Sequence, residues 1–158
     1  MLRYVASIFA GYFLILLWVM TSHSIVWWIG GPGFAFREGT MIETLPWIVL
    51  SLAFWLIGGV IGGFVSALVA RHPANLPSWV LAVLVLGMSL YSAFAYMQTG
   101  PQDLPAGVDP ASIDAAQFGV KPTWYPFTMA VLVAAGVLAG SWLHGDQSEE
   151  LVADEQAE

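Results

Sequence analysis

The chain contains no cysteine. Disulfides, thiolate metal sites, iron–sulfur clusters and a cysteine nucleophile are therefore excluded, which removes a large part of enzyme chemistry. Charge is nearly as scarce: Asp, Glu, Lys and Arg make up 9% of the 158 residues, and only four residues are basic. Four scattered bases give no electrostatic footprint for nucleic acid, so that partner class is excluded as well. The sequence also lacks a Gly-x-Ser-x-Gly elbow, a His-Glu-x-x-His helix, a Walker loop and paired catalytic carboxylates. No catalytic residue, metal ligand or cofactor is expected.

What the chain has instead is apolar length. At 58% hydrophobic it lies far outside the soluble range. No Asp, Glu, Lys or Arg occurs in 4–36, 44–70, 72–102 or 122–145. Each window holds an apolar stretch of about the 17–25 residues that cross a hydrocarbon core roughly 30 Å thick. The pattern predicts an all-α membrane protein: a four-helix transmembrane bundle over 1–145, with spans at about 4–28, 46–70, 78–98 and 124–144. The net charge of −7 belongs largely to the tail, since six of eleven acids lie in 146–158. That acidic tail has few large apolar residues and repelling charges, which favours disorder.

Boundary signals agree with four spans. Met1-Leu-Arg3 resembles the start of a signal peptide, but the apolar run continues too far and no small-x-small cleavage site follows, so it reads as an uncleaved first span. Trp27-Trp28 suits a membrane–water boundary, and Gly30-Gly31-Pro32-Gly33 ends the span. Thr44 reads as an N-cap with Pro46 in the first turn of span two. Gln98-Thr99-Gly100-Pro101 stops span three. In the long third loop, Asp109-Pro110 before an apolar-polar stretch ending at Gly119 predicts a short surface helix of two to three turns.

Span two carries the most unusual pattern. Read as a helix, it places Gly58, Gly62 and Ser66 on one row and Gly59, Gly63, Ala67 and Ala70 on the next. Each glycine costs a water-exposed helix about 1 kcal/mol against alanine, whereas in lipid small rows let a second helix approach closely. Gly136 and Gly140 form a matching row in span four, so spans two and four are expected to pack through these glycines. Self-association through the same rows is the other use of such a pattern.

None of the spans has an acid or base at its centre, which argues against a proton-driven exporter. A passive channel or a carrier of an apolar molecule is compatible with the composition. Of three histidines, His72 and His144 fall at matching depth, yet each adjoins a terminating Pro or Gly and reads as a helix-end residue. His23 lies within span one, in the polar cluster Thr21-Ser22-His23-Ser24, toward the opposite side. Arg3 and Arg71 abut their spans directly and Arg37 does not, which places both termini in the cytoplasm and loops 29–43 and 99–123 in the periplasm. A ligand site, if present, is expected at that periplasmic mouth. There the glycine-rich turn bearing Arg37 and Glu38 lies above His23, and Arg37 matches a carboxylate or phosphate head group.

Four segments carry a family likeness: Arg3-Tyr4 with Ala10-Gly11-Tyr12; Gly31-Pro32-Gly33-Phe34-Ala35-Phe36-Arg37-Glu38-Gly39; Gly62-Gly63 with Ala67 and Ala70-Arg71; and Lys121-Pro122-Thr123-Trp124. Together they resemble a group of small bacterial four-span inner-membrane proteins with no assigned activity. The resemblance implies class and location and no mechanism. The residues themselves favour a non-catalytic accessory or structural membrane subunit, the alternative being a small oligomeric carrier or channel for an uncharged or apolar molecule. The partners expected are the lipid bilayer and either another membrane protein or a second copy of the chain.

Overall fold

Helices in lipid satisfy their own backbone, so their arrangement is decided by where side chains are small enough to allow contact. The computed structural model describes residues 2–70, 76–100 and 103–157, with side chains as far as residue 144. Arg71 and His72 lie outside the described residues. The chain is all-α, with α1 (Leu2–Ala35), α2 (Leu45–Ala70), α3 (Leu76–Thr99) and α4 (Tyr125–Ala157), and a 3-10 helix (Ile113–Phe118) between α3 and α4. Among the described residues four helical stretches are long and apolar enough to cross a membrane, α4 contributing Tyr125–His144. Its helical backbone runs on to Ala157, through the tail whose composition favours disorder.

The central helix is α2, and its two small rows face different neighbours. A Cβ on Gly59 would lie 2.5 Å from the Val133 carbonyl oxygen, and one on Gly63 would run into the Val137 carbonyl, both on α4. From the other side, a Cβ on Gly136 would stand 2.5 Å from the Leu56 carbonyl oxygen and one on Gly140 would strike that of Val60. The second row turns to α1: Gly58 abuts Trp18 and Val19, and Gly62 abuts Ile15 and the backbone of Gly11. The α2–α4 and α1–α2 contacts are accordingly the most extensive in the bundle, while α3 meets α1 and α2 only sparsely. Ile15, Leu81, Val133 and Val137 close the membrane-level core.

Two boundaries differ from expectation. In α1 the helix breaks at Gly31 (φ 65°, ψ −175°), then Pro32 opens one further turn that closes with Phe36 N–H on the Pro32 carbonyl at 2.8 Å. Proline has no N–H to lose at a helix start, so it restarts the helix that it could not continue. In the third loop, Asp109 folds an Asx turn across Pro110, its Oδ1 accepting from Ala111 N–H at 2.8 Å. The helical turns consequently begin later, after Ser112, and are 3-10 rather than α. They also serve as more than surface, because Ala115 is fully buried with Ala35, Phe36 and Trp47 in a second core outside the bundle. Trp27 joins this cap while Trp28 is exposed, so the aromatic pair divides between packing and boundary.

Candidate functional site

The cap is built where the two loops opposite the chain termini meet. Thr40 N–H donates to the Arg37 carbonyl at 3.0 Å, with Gly39 at φ 68° completing the turn, and Arg37 N–H donates to the Ile42 carbonyl. The third loop then lies alongside: Val120 N–H donates to the Met41 carbonyl at 2.8 Å and Glu43 N–H to the Val120 carbonyl at 3.2 Å. Thr44 locks the start of α2. Its Oγ1 donates to the Phe34 carbonyl at 2.5 Å and accepts from Trp47 N–H at 3.4 Å, the N-cap role expected of it.

This loop pairing carries Glu43 inward. Its side chain is 1% exposed, with Lys121 Nζ at 3.4 Å from Oε1 and Gly119 packed directly against the carboxylate. Neither carboxylate oxygen accepts a well-formed hydrogen bond among the described residues. Burial pushes the Glu43 carboxyl above the usual range, against the opposing pull of the Lys121 ammonium and the Trp47 side chain. Lys121 is itself held: its N–H donates to the Tyr96 hydroxyl at 3.2 Å, that hydroxyl faces the Lys121 carbonyl at 3.4 Å, and its ammonium lies over the Tyr125 ring.

Beneath the pair lies a cleft of about 600 Å³ between α1, α3 and α4, with Trp47 and Trp55 of α2 at its back and the 3-10 helix over its polar end. One end is polar, with Glu43, Lys121, Tyr96, His23, Asp114 and Gln117. The rest is mostly apolar and runs down Val19, Ile15 and Tyr12 on α1 opposite Met88 and Val85 on α3, about two helical turns or roughly 10 Å. Met20 and Ser24 of α1 and Met88 and Ser92 of α3 are exposed along its mouth, where the two helices fail to close. No family model, curated protein or solved structure matches the chain. The chemistry of the cleft must therefore be read from its own walls.

His23 sits in the polar wall with its hydrogen bonds assigned by its partners. Nδ1 faces the Val19 carbonyl at 2.8 Å, which only accepts, so Nδ1 carries the proton; in the neutral ring Nε2 then accepts from the Ser51 hydroxyl at 3.0 Å. Ser51 in turn lies near the Tyr125 hydroxyl. Trp47 and Phe54 pack edge-on against the imidazole at 5.4 and 5.3 Å. The structure therefore brings His23 together with Glu43 and Lys121. Arg37 and Glu38 are exposed on the outer turn and do not line the cleft. His144 packs edge-on against Phe64 at 5.5 Å.

Proposed function

We propose that the chain is a non-catalytic integral membrane protein that holds one amphiphilic molecule in the α1–α3 cleft, an accessory binding subunit of the bacterial inner membrane. In this reading both termini are cytoplasmic and the polar end of the cleft faces the periplasm. The observation that carries it is the cleft's polarity: hydrogen-bonding groups at one end, an apolar track below, and a mouth between two of the apolar spans. Its volume falls within the range of roughly 300–1,000 Å³ typical of small-ligand sites. Three of the six methionines, Met20, Met88 and Met129, line it, and unbranched thioethers give a wall that adapts to a chain of variable shape.

The small residues Gly58, Gly59, Gly62, Gly63, Ser66, Gly136 and Gly140 are read here as internal seams, which leaves no glycine row of α2 for a homo-oligomer. Arg37 and Glu38 are assigned to the bilayer rim, Arg37 matching lipid phosphate. Native mass measurement from mild detergent tests the reading. One chain carrying one small amphiphile, alone or with a different membrane protein, is the expected species. A ligand-free symmetric homo-oligomer would return the chain to the carrier or channel class.

A further inference from the structure

Resting on the binding role proposed for the cleft, we infer that its head-group end selects an uncharged amphiphile rich in hydroxyl donors, of the monoacylglycerol kind, over a fatty acid or a quinone. The buried donors at that end are engaged, and the donors still open, the remaining Lys121 protons and the Gln117 amide, lie on partly or fully exposed side chains. The Tyr96 hydroxyl lies against the Lys121 carbonyl, and the His23 Nδ1 proton is held by the Val19 carbonyl. Ser51 lies against His23 and Tyr125. Among the buried groups what is left over is acceptor capacity. Neither Glu43 oxygen accepts a well-formed hydrogen bond among the described residues, although Lys121 Nζ stands 3.4 Å from Oε1, and the exposed Asp114 carboxylate lies at the mouth.

A buried polar atom without a partner is costly, so a ligand that supplies the missing donor gains more than one that brings another acceptor. A quinone brings only carbonyl oxygens. A carboxylate head would meet one cation, Lys121, already paired at 3.4 Å with Glu43, and a second carboxylate in Asp114. A glycerol head has two hydroxyls that donate to carboxylate oxygens and also accept from the remaining Lys121 protons. Its single acyl chain follows the apolar track between α1 and α3.

The test is competitive binding at pH 8 to the full chain in lipid nanodiscs, with radiolabelled monolauroylglycerol as probe and lauric acid and a decyl-substituted benzoquinone as competitors. Monolauroylglycerol should bind one per chain and about tenfold or more tighter than either competitor, the factor that one hydrogen bond to a charged group supplies. Glu43→Gln, which puts an amide donor where the head group donates, should reduce that preference by about the same factor. If lauric acid or the quinone competes as well as unlabelled monolauroylglycerol, the head-group assignment is overturned and the cleft still binds amphiphiles. If none of the three binds, the cleft reading itself fails. The parent's selectivity decides the matter even where the variant does not fold.

Discussion

Adding a single methyl group at Gly63 examines the α2–α4 seam directly. The new Cβ would overlap the Val137 carbonyl oxygen and lie 2.7 Å from the carbonyl carbon and Cα of the same residue. Ordinary carbon–carbon contact is about 3.5–4.0 Å, so the two helices must part by roughly 1 Å. A gap of that size forfeits about a quarter to a half of each dispersion contact, and forced overpacking of this kind costs about 1–3 kcal/mol. Gly87→Ala is the matched control. A Cβ there meets nothing within 4 Å, and alanine's helix propensity makes the change neutral or stabilising by up to about 1 kcal/mol. Thermal unfolding in mild detergent, followed by circular dichroism and size exclusion, should show Gly63→Ala melting well below the parent and Gly87→Ala at or above it. A Gly63→Ala protein that melts with the parent and differs only in oligomer size would refute the seam and return the glycine row to self-association.

Two further outcomes follow from the cap and a third from the proposed orientation. Because burial raises the Glu43 carboxyl, the folded state holds its proton more tightly than the unfolded chain. Stability should therefore be fullest below the ordinary glutamate value of about 4.5 and fall as pH rises through the elevated folded value. Glu43→Gln should flatten that slope in melting temperature, and an unchanged slope would assign it to another group. Thr44→Ala removes the α2 N-cap and the bond to the Phe34 carbonyl, and chemical denaturation should report a loss of about 1–2 kcal/mol. Reporter fusions at Ala106 and Glu158 should report opposite sides of the membrane, and an active alkaline phosphatase at Glu158 would reverse the orientation.

The span pattern was legible because it rests on local chemistry: uncharged windows of membrane length, and Pro, Gly and Thr where helices begin and end. The small rows of α2 were legible for the same reason, since residues four apart share a helix face whatever surrounds it. Which neighbour each row meets was not, because adjoining rows of similar small residues look alike in a linear sequence. The Gly58–Gly62–Ser66 row meets α1, not α4. His23 stood out as the one imidazole within the first span. Glu43 gave no such signal. Beside an N-cap it reads as an ordinary loop acid, and its burial comes from backbone bonds to Val120, a residue far along the chain. Lys121 is hidden likewise, flanked by a proline and held by Tyr96 at the end of α3. The cleft belongs to no single segment and opens where α3 meets α1 only sparsely.

The absence of cysteine allows the most direct test, because one introduced thiol is the sole labelling site. Ser92→Cys places that thiol at the mouth of the cleft, and Phe94→Cys places it at an exposed α3 position that does not line the cleft. Labelling by an apolar maleimide in lipid nanodiscs, with and without monolauroylglycerol, then reports occupancy. The amphiphile should slow labelling at position 92 in a saturable manner and leave position 94 unchanged. Equal rates at position 92 with and without it, at concentrations that saturate the bilayer, would contradict a cleft that takes its ligand from the membrane.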